Sequence, residues 1–137
     1  MKHNILTWNV RRLNEGRKRP RIKNLLSKWK VDIACLQETK LELVSNQLVQ
    51  SLWRCPYVDW CHVVANGASG GILLIWDHRV VSKIDVCMGS FVVACSFKNV
   101  DDGLVWAFAG VYGPNRNTFR KLLWEELVGV MSIWDMP

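Results

Sequence analysis

Between Asn4 and Gln37 the hydrophobic period changes twice, and this constrains the fold more than any other feature of the sequence. Asn4-Ile-Leu-Thr-Trp-Asn-Val10 alternates as a strand does. Ile22, Leu25, Leu26 and Trp29 then recur at i, i+3, i+4 and i+7, which predicts an amphipathic helix beginning near Pro20. Val31-Asp-Ile-Ala-Cys-Leu-Gln37 is a second strand, apolar enough to be buried and ending at Glu38. Two strands separated by a helix are too far apart for a tight hairpin. They favour a parallel pair joined by a right-handed crossover. Leu41, Val44, Leu48 and Leu52 predict a second, shorter helix behind them.

From Tyr57 onward the pattern turns β-rich. Val58–Ala65, Gly71–Trp76, Val80–Met88, Phe91–Lys98 and Leu104–Tyr112 are short β-branched or aromatic runs. The separators Asn66–Gly70, Asp77-His78, Gly89-Ser90 and Asp101-Asp102-Gly103 are turn chemistry, so successive strands read as antiparallel hairpins. A last helix is expected from about Thr118, with Phe119, Leu122, Leu123, Leu127, Val130 and Met131 on one face. These elements imply an α/β protein: one mixed sheet with helices on one face, and a second face meant for some other layer.

With 137 residues, half of them hydrophobic and eight of them Trp, the chain can bury one domain's core, which excludes a disordered segment. Gly70–Trp76 and Phe91–Phe97 are strand-sized runs, well short of the roughly 18 residues of a membrane span. Met1–Arg12 is too polar and basic for a secretory leader. The expectation is a protein that is not secreted, intracellular (nuclear or cytoplasmic) and without a membrane partner. Five cysteines with no CxxC pair suit a reducing compartment and argue against structural zinc. The formal charge of +6 is concentrated: residues 1–30 hold ten Lys/Arg against one acid, Glu15. Arg11, Arg12, Arg17, Lys18 and Arg21 within that run are candidate contacts for a nucleic-acid phosphate backbone. A solvated basic loop and helix face would show the same run.

Three strand ends carry chemistry-bearing residues. Trp8-Asn9-Val10-Arg11 closes the first strand, Leu36-Gln37-Glu38-Thr39 the second, and Tyr112-Gly113-Pro114-Asn115 the last. If those strands neighbour one another, Asn9, Glu38, Tyr112 and Asn115 meet at one sheet edge. A carboxylate with neutral amide oxygens suits a hard cation such as Mg²⁺ that keeps several of its waters. Taken singly, each residue is more often a strand-end acid or a turn former. His3, His62 and His78 have no Ser or Cys partner in a nucleophile context, which speaks against a hydrolytic triad.

Taken in order, Leu6-Thr-Trp-Asn-Val-Arg-Arg-Leu-Asn14, Asp32-Ile-Ala-Cys-Leu-Gln-Glu-Thr-Lys40, Ser69-Gly-Gly-Ile-Leu73 and Val111-Tyr-Gly-Pro-Asn115 resemble the endonuclease/exonuclease/phosphatase family, whose fold is like deoxyribonuclease I. Within it the sequence looks most like endonuclease domains of plant LINE-type (non-LTR) retrotransposons. The resemblance implies the N-terminal half of a four-layer α/β/β/α sandwich. It also implies that Glu38 is the Mg²⁺-binding carboxylate with Asn9 beside it, that Tyr112 and Asn115 line the phosphate, and that DNA is the partner. Arg12 stands where the family often has Gly.

The family's later Gly-Asp-Phe-Asn and Ser-Asp-His segments, which complete its acid–base work, do not occur. Residues 1–137 therefore read as a truncated domain, catalytically incomplete alone. A non-catalytic nucleic-acid-binding or interaction fragment using Arg11–Lys23 is the alternative. With one sheet only, an apolar face should be left open to self-association.

Overall fold

A computed structural model of the chain describes residues 3–10, 13, 18–41, 43–53, 55–64, 70–89 and 92–111. Seven strands and two helices run in the order β1 (Ile5–Asn9), α1 (Arg19–Lys28), β2 (Ile33–Gln37), α2 (Asn46–Leu52), β3 (Val58–Val63), β4 (Ile72–Asp77), β5 (Val81–Met88), β6 (Val92–Asn99) and β7 (Val105–Val111). The last helix expected from Thr118 lies outside the described residues.

The opening strand–helix–strand is as the period changes require. β1 and β2 pair in parallel, Ile5 opposite Ile33 through Asn9 opposite Gln37. Pro20 sits in the first turn of α1, where its missing N–H costs no helical bond. The apolar stripe of α1 buries Ile22 and Leu26. α2 is shorter than the spacing of Leu41 to Leu52 predicts. Ser45 caps it, its hydroxyl accepting from the Leu48 amide at 3.2 Å, so the helix starts at Asn46. Leu41 remains in the preceding loop and still joins the core.

The expectation of a single sheet is corrected. There are two: a four-stranded sheet ordered β1-β2-β4-β3 and a three-stranded sheet ordered β5-β6-β7. The reason lies in β4. Its two edges are already taken, by β2 on one side and β3 on the other, both antiparallel. β5 finds no free edge on β4 itself, and the turn at Asp77–Val80 carries the chain into a new layer instead of closing a hairpin. That corner is pinned by Arg79, which donates to Asp77 through Nε at 3.1 Å and Nη2 at 2.8 Å while its guanidinium lies 4.2 Å over the Tyr57 ring.

The two sheets explain why β2 and β4 read as unbroken apolar runs: each is buried on both faces. Ala34, Leu36, Leu73 and Ile75 face the helices, with Ile22, Leu26, Val49 and Leu52. Ile33, Cys35, Ile72, Leu74 and Trp76 face the second sheet, meeting Val93, Cys95 and Phe97 of β6. The described layers are therefore helix, sheet, sheet. The face expected to lie open is covered over β2, β3 and β4 by β6 and β7. Among the described residues the strip along β1 is exposed on that face, where the burial pattern alternates and Ile5 is 43% exposed.

Candidate functional site

The site edge is the end of the first sheet toward which the parallel strands β1 and β2 both run. Asn9 closes β1 as an exposed residue directly opposite Gln37. Glu38 follows at once, half-buried, and its backbone is left-handed at φ 55°. Lys40 is left-handed too, at φ 56°, and fully buried Thr39 lies between them. Two bulky residues at positive φ within three positions cost about 1–2 kcal/mol each, so the surroundings must hold the loop in this shape.

They hold it from both sides. The Leu13 amide donates to the Thr39 carbonyl at 2.8 Å, tying the loop after β1 to the loop after β2. Across the sheet, the Lys40 amide donates to the Gly70 carbonyl at 2.7 Å and the Thr39 amide to the Gly71 carbonyl at 3.3 Å. Gly70 is closely surrounded here, and an added side chain would force its neighbours to give way. A Cβ there would stand 3.1 Å from both Cα and Cγ of Glu38 and 3.3 Å from the Lys40 ammonium. The Gly70-Gly71 pair is thus the backing of the Glu38 loop as well as the entry to β4.

Of the expected site residues, the structure brings Asn9 and Glu38 together at one edge. Tyr112 and Asn115 lie outside the described residues, as do Arg11, Arg12 and Arg17. β7 does run to this same edge: Gly110 packs so tightly over β2 that a Cβ would lie 2.6 Å from the Cys35 sulfur. The two described basic candidates part company. Lys18 caps α1 and points its ammonium at the Val10 carbonyl, 3.4 Å away, so its charge sits beside the end of β1. Arg21 lies exposed on α1.

Lys40 and Gly70 are additions to the site that the residue pattern did not single out, whereas Arg19 belongs to the basic run of residues 1–30. Arg19 donates through Nε to the Leu13 carbonyl at 3.1 Å. It also lines a groove of about 460 Å³ with Leu41, Leu43, Gln47 and Leu48. Lys40 closes the segment Asp32–Lys40. The signal for Gly70 was its place in Ser69-Gly-Gly, read as an ordinary turn.

The donor chemistry at the edge is a carboxylate and a neutral amide, which fits a hard divalent cation that retains waters. Among the described residues no group of three or more His, Cys, Asp or Glu is placed to hold a metal. No helix of the described residues is long and apolar enough to cross a membrane.

The sequence matches the endonuclease/exonuclease/phosphatase family over residues 6–128. No curated protein matches it. Among solved structures, the human Nocturnin catalytic domain with bound sulfate shares the fold at a TM-score of 0.67 and 17% identity, over 96% of this chain and 58% of that one. An endonuclease/exonuclease/phosphatase family protein from Bacteroides thetaiotaomicron aligns at a TM-score of 0.69 and 15% identity, over 93% and 57%. The AP endonuclease LMAP from Leishmania major aligns at 0.62 and 16%, over 88% and 43%. The chain thus spans little more than half the length of the first two structures.

Proposed function

The chain belongs to the endonuclease/exonuclease/phosphatase family, and on that footing we propose that it is the N-terminal half of a Mg²⁺-dependent, DNA-cleaving phosphodiesterase derived from a LINE-type retrotransposon, inactive alone. The observation that carries this reading is the Glu38 loop. A strained, doubly anchored turn presents one carboxylate beside Asn9 at a sheet edge, in a chain that spans 57–58% of two structures of its fold. Glu38 and Asn9 would hold the ion, and Mg²⁺, when bound, offsets negative charge developing on a phosphate. Lys18 and Arg21 would hold the phosphate backbone near that edge, Lys18 the more directly because its ammonium already lies against Val10.

The same family acts through groups that orient water and protonate the leaving oxygen, and the segments that would carry them are missing from this sequence. Positioned acid–base groups are worth about 10²–10⁴-fold in rate, so one carboxylate at the edge leaves most of the catalysis unsupplied. The retrotransposon origin rests on the four ordered sequence segments. The measurement is nicking of supercoiled plasmid with Mg²⁺, for the chain and for Glu38→Ala. No nicking above the Glu38→Ala background is expected. Metal-dependent nicking that Glu38→Ala abolishes would overturn the claim of inactivity while upholding the site.

A second reading, a nucleic-acid-binding fragment, is favoured by the inward-turned ammonium of Lys18. Salt-sensitive DNA binding that weakens on Lys18→Ala more than on Arg21→Ala would support it.

A further inference from the structure

Five cysteines are all free, and four are buried, in a protein whose site uses none of them. Two come from different sheets and meet in the layer between them. Cys61 of β3 and Cys95 of β6 have sulfurs 3.6 Å apart. Cys61 sits opposite Leu74 in the first sheet, and Cys95 sits between Val86 and Phe108 in the second. Both belong to the apolar cluster that joins the sheets.

We propose that Cys61 and Cys95 are a dithiol modification site, oxidised by a peroxide to an inter-sheet disulfide that latches β3 to β6. The sulfurs need to close by about 1.5 Å, across the layer between the two sheets, to reach bonding distance. The two thiols are also unequal. Their mutual hydrogen bond holds Cys61 below the ordinary thiol range and, with burial, pushes Cys95 up. Cys61 is also the more accessible, at 9% against 0%.

The order of events follows. The Cys61 thiolate attacks one peroxide oxygen, the O–O bond breaks, and a proton converts the leaving oxygen to water, giving a sulfenic acid. The Cys95 sulfur then attacks the Cys61 sulfur, the S–O bond breaks, and a second water leaves with the Cys95 proton. In sum, two thiols and one hydrogen peroxide give one disulfide and two waters. The third thiol in the layer, Cys35, is unsuited to compete: burial, then the charge on Cys61, pushes it up to about 12. Cys87, the one partly exposed cysteine, lies on β5 and has no sulfur partner among the described residues.

The experiment treats the folded chain with hydrogen peroxide and maps disulfides by mass spectrometry of a non-reduced digest. A Cys61–Cys95 crosslink is expected, with a melting temperature about 5–10 °C higher, reversed by dithiothreitol. It should persist in Cys87→Ser and vanish in Cys61→Ser and Cys95→Ser. Because those two replacements lie in the core, the map of the unaltered chain decides by itself. Oxidation of Cys87 alone, with Cys61 and Cys95 left as thiols, would overturn the assignment. So would a 61–95 crosslink that forms only in denaturant.

Discussion

β1 and β2 are the same length, run the same way and lie in register, and each delivers a candidate site residue to one edge. Their surroundings differ. Four of the five residues of β2 are buried, covered by helices on one face and by β6 and β7 on the other. Among the described residues β1 is covered toward the helices, where Leu6 and Trp8 pack, while Ile5, Thr7 and Asn9 are exposed. The sandwich is closed at the far end of β1: His3 bonds Asn99 at 2.7 Å and stacks 5.7 Å from Trp106. It opens toward Asn9. The lesson is that the two halves of the site are unequally built. The Glu38 side is clamped by its own layer and its neighbours, whereas the Asn9 side stands on a strip that the described residues leave bare.

The sharpest way to break that comparison uses one side chain at two paired positions. Ile5 and Ile33 are cross-strand partners on the same face, 43% and 0% exposed. Ile33→Ala should cost about 2–5 kcal/mol in denaturant unfolding, through lost burial and the cavity left behind. Ile5→Ala should cost about 1 kcal/mol or less, since much of its surface is already in water. Equal losses would show that β1 is covered as fully as β2.

How much of this was legible beforehand divides along the same line. Asn9 and Glu38 could be paired from sequence because a strand–helix–strand unit fixes which strand ends lie together. The second sheet could not, because Asp77-His78 is turn chemistry whichever layer follows. What sends β5 away is that β2 and β3 already occupy both edges of β4, a long-range fact. The unbroken apolar run of β4 did carry a trace of it, as a strand buried on both faces must. Gly70 looked like a hairpin glycine because its close contact is with Glu38, more than thirty residues earlier. Charge counting likewise could not tell inward Lys18 from outward Arg21.

The crowding around Glu38 gives the next test, of intermediate size. Gly70→Ala puts a Cβ against Glu38 backbone, which cannot swing aside as a flexible side-chain end can. A loss of about 1–3 kcal/mol is expected, the usual range for overpacking. Amide resonances of Thr39 and Lys40 should shift with it. Asn9→Ala on the bare side should stay within about 0.5 kcal/mol. A Gly70→Ala protein as stable as the parent, with those amides unmoved, would mean the Glu38 loop is not clamped from that side.

The smallest effect is expected at the opposite edge of the same sheet, on β3. His62 is half-buried there, and its Nε2 is buried without a hydrogen-bond partner among the described residues. Burial disfavours the imidazolium and holds this histidine below its usual value of 6.5. The unfolded chain therefore binds the proton first as pH falls. The stabilisation is complete above 6.5 and drains away as the pH drops from there through the lower folded value. Melting temperature should decline across that window, and His62→Gln, which cannot titrate, should flatten the decline even if it lowers the starting point. A slope that survives His62→Gln unchanged would move the pH sensitivity off β3. The edge strand covered by β6 would then be no more constrained than the one left bare.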